Sequence, residues 1–71
     1  MWEKKKRHSW KIDTDQLKGE ASVKQSDGGY KIFLKVEEKD FGMTLRNRSE
    51  YFESKKEAVE EIKKEMKEFQ A

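Results

Sequence analysis

The sequence predicts an α+β domain: a three- to four-stranded antiparallel β-meander packed on one C-terminal α-helix. Three observations lead there. Apolar and polar residues alternate from Glu20 to Arg48 in three runs separated by turn residues. Ser54-Lys55-Lys56-Glu57 has the spacing of a capping box and precedes an apolar stripe at helical period. At 71 residues the chain has room for one core and no second domain.

In chain order, residues 1–8 carry one aromatic and a basic run without periodicity, which reads as a flexible basic arm, leaving residues 9–71 as the domain. Ser9 to Asp13 alternates as a short strand, with Trp10 and Ile12 extending the core, and Thr14 to Gly19 reads as a turn or one helical turn stopped by Gly19. Glu20 to Gln25 places Ala21 and Val23 on one face, and Ser26-Asp27-Gly28-Gly29 supplies the positive-φ residues of a tight hairpin. Tyr30 to Val36 directs Tyr30, Ile32, Leu34 and Val36 to the core. After the polar connection Glu37 to Asp40, the run Phe41 to Arg46 is expected to direct Phe41, Met43 and Leu45 there as well. In the helix, Ala58, Val59, Ile62, Met66 and Phe69 fall on one arc, with most of the charges elsewhere.

Composition excludes several classes. Charged residues make up 45% of the chain and hydrophobic residues 32%. The 17 basic and 15 acidic side chains nearly cancel to +2, so self-repulsion is weak and the patterned apolar residues can collapse. The lack of Cys fits a reducing, cytoplasmic setting. No apolar run exceeds Ile32-Phe33-Leu34, so neither a transmembrane span nor a membrane partner is expected. The one histidine, His8, lies in the expected arm, and a core this small offers little shielding to tune a catalytic base, so no enzyme, cofactor or small-molecule substrate is expected. Asp13 and Asp15 have the spacing of the first cation-loop ligands but lack the Gly and distal Glu that complete one, so no metal site is expected.

One helix covers one face of the sheet, and function is sought on the other. Alternation assigns to it Ser22, Lys24, Lys31, Phe33, Lys35, Thr44 and Arg46, with Arg48 just beyond and the counter-charges Glu20 and Glu37 near strand ends. The basic excess lies in this half: residues 1–48 hold 12 basic and 8 acidic side chains, residues 49–71 hold 5 and 7. Cations around an exposed ring suit nucleic acid, DNA above all, because phosphate neutralisation supplies affinity and a ring accepts any base. In this reading Lys24, Lys31 and Lys35 clamp phosphates, the forked donors Arg46 and Arg48 read base edges, and Lys4, Lys5, Lys6 and Arg7 of the arm track the backbone alongside. The alternative is a small protein-interaction or inhibitor module, such as a phage-encoded host-takeover factor, or a homodimer, docking through Phe33 or an open strand edge.

Two segments carry a family resemblance. Gly29-Tyr30-Lys31-Ile32-Phe33, opening a strand, and Tyr51-Phe52-Glu53-Ser54-Lys55-Lys56-Glu57-Ala58, leading into a helix, make Gly28 to Phe69 resemble the arm-type N-terminal DNA-binding domains of phage and transposon tyrosine integrases. Those domains are similar in fold to plant ethylene-response-factor domains. The resemblance implies a three-stranded sheet with a C-terminal helix, the sheet lying in the major groove, and Lys31, Phe33, Lys35, Arg46 and Arg48 as contacts.

Overall fold

The long central hairpin sets the register of everything else. Its strands, β3 (Leu17–Ser26) and β4 (Gly29–Glu38), are joined by Asp27 and Gly28, whose φ angles of 45° and 78° are the left-handed pair of a type I′ turn. Ser26 faces Gly29 and Leu17 faces Glu38, so the hairpin pairs along its whole length. The computed structural model, which describes residues 1–69, adds β1 (Glu3–Lys6), β2 (Ser9–Asp13) and β5 (Thr44–Phe52). The five strands form one antiparallel meander in the order β1-β2-β3-β4-β5, and a single helix, α1 (Lys55–Lys67), packs on one face against β3, β4 and β5. The class is α+β, with one strand more than the three or four expected.

The sheet's helix side is apolar because the rows of facing residues are. Trp10, Ala21 and Leu34 form one row, Val23 and Ile32 another, and Ile12, Gly19 and Val36 a third. Ala58, Ile62 and Met66 of α1 close over them, flanked by half-buried Val59 and Phe69. Ser54 caps the helix, its hydroxyl accepting from the Glu57 amide at 3.5 Å. Leu17 to Gly19 belongs to β3 rather than to a helical turn. The connection before it is an ST turn, in which the Thr14 hydroxyl accepts from the Gln16 and Leu17 amides.

Residues 1–8, expected as an arm, are part of the sheet. Trp2 is 9% exposed, and its indole Nε1 donates at 2.9 Å to the Met66 carbonyl, which also accepts from the Phe69 amide at the end of the helix. Lys5 is an extra residue in β1: Lys4 faces Trp10 and Lys6 faces Ser9, so a bulge interrupts the pairing. That bulge and the charge run hide the strand from a period-two reading.

β5 departs most from expectation. Phe41, Met43 and Leu45, expected in the core, are 83%, 58% and 41% exposed. The strand begins at Thr44, and Leu45 drops out of register because Val36 faces Arg46 while Glu37 faces Thr44. From there Arg46, Arg48, Glu50 and Phe52 occupy the helix side, opposite Val36, Leu34, Ile32 and Tyr30. The register is held from the other end, where half-buried Tyr30 and Phe52 both pack on the core.

Candidate functional site

The uncovered face can be read row by row from the pairing. Lys24, Lys31 and Tyr51 share one row across β3, β4 and β5. The next is Lys6, Ser9, Ser22, Phe33 and Ser49, which crosses all five strands. Beyond it lie Lys11, Glu20, Lys35 and Asn47, then Asp13, Lys18 and Glu37. The face is concave, with a hollow of about 760 Å³ that reaches from Lys5, Lys6 and Arg7 at one edge to Asn47 and Ser49 at the other. Among the described residues lining it, Glu20 is the only carboxylate.

Charge on this face is uneven. Lys11 pairs with Glu20 at 3.4 Å and Lys35 with Glu37 at 3.6 Å, so the cations of the outer rows, Lys35 included, are largely answered. Around Phe33 they are not. The ring is 40% exposed, and the Lys24 and Lys31 ammonium groups stand 5.8 Å and 5.7 Å from its centroid, within cation–π range. Among the described residues no carboxylate lies within ion-pair distance of Lys24, Lys31, Lys6 or Arg7. Lys24 and Lys31 face each other directly across the hairpin, a like-charge pairing that costs stability. Lys5 is tied to Glu3 at 2.9 Å, and Lys4 shares the helix side with Trp10.

Arg46 and Arg48 are not on this face. They lie on the helix side, where Glu61, Glu65 and Glu68 meet them at the spacing of one helical stripe. Arg48 donates to Glu61 at 2.6 Å, to Glu50 at 2.7 Å and to Glu65, while Arg46 pairs with Glu68 at 2.8 Å and with Glu65. Hydrogen bonds, to Glu50 first for Arg48 and to Glu68 first for Arg46, raise both guanidinium pKa values against the opposing effect of burial. Arg46 also stands 5.2 Å from the Phe69 ring centroid. Both arginines are structural, joining the edge strand to the helix, and neither is offered to a ligand. The signal was present in the sequence: Arg46 and Arg48 two apart on a strand, and Glu61, Glu65 and Glu68 four and three apart on a helix, are faces that can meet.

The site residue that sequence reasoning missed is Tyr51. It is 48% exposed on the open face, and its phenol ring lies down across the neighbouring strand at Gly29. A Cβ on Gly29 would stand 2.2 Å from the Tyr51 hydroxyl and 2.4 Å from Cζ, so only glycine admits the ring there. With Phe52 recognised as an inward residue, Tyr51 follows as an outward one.

His8 sits at the tip of the β1–β2 turn with φ of 59°, its Nε2 buried and without a partner among the described residues. Burial lowers its pKa, and the charges of Lys55, Arg7, Lys4 and Lys63 push in the same direction. Among the described residues no group of three or more His, Cys, Asp or Glu is placed to hold a metal ion, and no helix is long and apolar enough to cross a membrane. Comparison with protein-family models, with curated proteins and with solved structures finds no match to this chain, so its functional reading rests on the geometry of the open face.

Proposed function

We propose that the chain binds nucleic acid, with DNA the first candidate, through the concave face of its sheet, in an accessory or regulatory role. One observation carries the reading: Phe33, exposed at the centre of that face, is flanked by two lysines that no described carboxylate answers, in a fold with little stability to spend on a like-charge pair. Lys6 and Arg7 at the rim bring the cations available for phosphates to four. Of the contacts that the integrase resemblance implies, Lys31, Phe33 and Lys35 lie on this face; Lys31 and Phe33 are kept as contacts, and Lys35, paired with Glu37, is left out with the arginines.

Four neutralised phosphates on duplex DNA give a log–log salt slope of about −3.6, so a fourfold rise in salt weakens binding about 10²-fold. Fluorescence anisotropy with a labelled mixed-sequence oligonucleotide at two salt concentrations reads this directly. The double variant Lys24→Glu, Lys31→Glu is expected to lose binding while keeping its far-UV circular dichroism. Unchanged affinity in that folded variant, or an affinity indifferent to salt, rejects the proposal. A second reading, docking of a protein partner, is favoured by the exposed Phe41, Met43 and Leu45 beside the open edge of β5. Leu45→Ser abolishing partner capture while sparing DNA binding would select it.

A further inference from the structure

We infer that the nucleic acid this face takes is a single strand, with two unstacked bases resting on Phe33 and Tyr51. The inference rests on the nucleic-acid reading above and adds the form of the ligand. Its basis is the attitude of the Tyr51 ring and the exposure of Phe33 beside it. Tyr51 does not stand up from the sheet; it lies across β4 in the space that Gly29 leaves open, one ring face toward the backbone and the other toward solvent. Phe33 sits one row further along β4, with the Lys24 and Lys31 ammonium groups of the neighbouring row 5.8 Å and 5.7 Å from its centroid, at the floor of the hollow. Lys31 faces Tyr51 across the β4–β5 pairing, which makes Phe33 and Tyr51 diagonal neighbours, about 7–8 Å apart at Cα.

A duplex has little use for such a platform. Its base faces are already stacked on one another, its edges are reached only by elements that enter a groove, and a ring that wedges open a base step must project from the protein surface. A ring lying on a concave sheet can meet only the face of a base that has left its stack. The flanking cations then take the phosphates on either side, and the hydroxyl groups of Ser9, Ser22 and Ser49 in the Phe33 row offer neutral hydrogen bonds to base edges or sugars.

The test compares a labelled single strand of about 12 nucleotides with its own duplex by anisotropy at one salt concentration, on the full chain. The single strand is expected to bind at least about tenfold more tightly, with Phe33→Leu and Tyr51→Leu each weakening it by about tenfold. Gly29→Ala, which keeps the tyrosine but denies its ring the resting place, is expected to approach the loss seen in Tyr51→Leu, and Tyr51→Phe to retain binding. Circular dichroism confirms that each variant is folded. Duplex binding equal to or tighter than single-strand binding, or folded leucine variants with parental affinity beside a Lys24→Glu, Lys31→Glu variant that has lost it, overturns the inference and leaves the nucleic-acid reading standing. Binding to neither form at low salt overturns both.

Discussion

Removing the Trp2 side chain tests whether β1 belongs to the fold, and the structure supplies the size of the effect. An indole nearly out of water withdraws about 200 Å² of apolar surface, an upper bound of about 5 kcal/mol at 25 cal/mol/Å² that a realistic unfolded chain reduces by roughly a quarter. Trp2→Ala also removes the indole hydrogen bond to the Met66 carbonyl, leaving it the Phe69 amide alone. Large aromatic truncations of this kind cost about 3–5 kcal/mol, which is about the whole stability expected of a domain of this length. Trp2→Ala is therefore expected to be largely unfolded at room temperature. Trp2→Phe keeps most of the ring and loses the hydrogen bond, for a cost of about 1–2 kcal/mol. With a urea m-value of about 1 kcal/mol/M, that lowers the midpoint by about 1–2 M, readable by circular dichroism and by Trp10 fluorescence. Gly19→Ala approaches the same contact from below, because its Cβ would stand 3.0 Å from Ile12 Cγ2 and 3.2 Å from Trp2 Cη2, and should cost about 1–3 kcal/mol. A Trp2→Ala variant within about 0.5 kcal/mol of the parent would refute the reasoning and return residues 1–8 to an arm.

Three further outcomes are expected. Arg48→Gln leaves Glu50 and Glu61 without their cation and Glu65 with Arg46 alone, and should cost about 1–2 kcal/mol in urea titration, with nucleic-acid binding unchanged. His8 has a folded pKa below its unfolded value of about 6.5, so between the two the unfolded chain holds the proton and the folded chain does not. The contribution is intact above about pH 6.5 and is lost as pH falls through the folded pKa; His8→Asn, which tolerates the left-handed backbone, should flatten the thermal midpoint between about pH 7 and 5.5. Lys31→Thr removes one of two facing ammonium groups and should raise stability by about 0.2–1 kcal/mol while weakening DNA binding, opposite signs that a purely structural lysine would not give.

The parts of the fold legible in the sequence are those whose signal is local. The Asp27-Gly28 turn, the Ser54 cap with Glu57, the inward set Ile32, Leu34 and Val36, and the Ala58, Ile62, Met66 stripe depend on neighbours within a few residues. β1 depends on a partner 64 residues away, the Met66 carbonyl, and presents only Trp2 as an inward apolar residue beside a charged run. β5 misleads for a related reason. The exposed apolar residues Met43, just before it, and Leu45, its second residue, lie where the strand begins, and its inward arginines are tolerable only because the helix brings glutamates to them. For the open face, Lys24, Lys31 and Phe33 follow from alternation alone, whereas Tyr51 required the corrected register and the missing Cβ of Gly29.

Each strand of the meander neighbours the strand before it, so most of the structure can zip up hairpin by hairpin at low contact order, and folding should be fast for a sheet protein. The exception is the clasp between Trp2 and the last turn of α1, which closes the longest loop and must wait for both to arrive. In kinetic terms β1 is then expected to join last, and its arrival completes the stability of the whole. Because undocking Trp2 costs about what global unfolding costs, amides of the β1–β2 pair should exchange with solvent deuterium together with those of the β3–β4 hairpin, in one opening of the whole molecule.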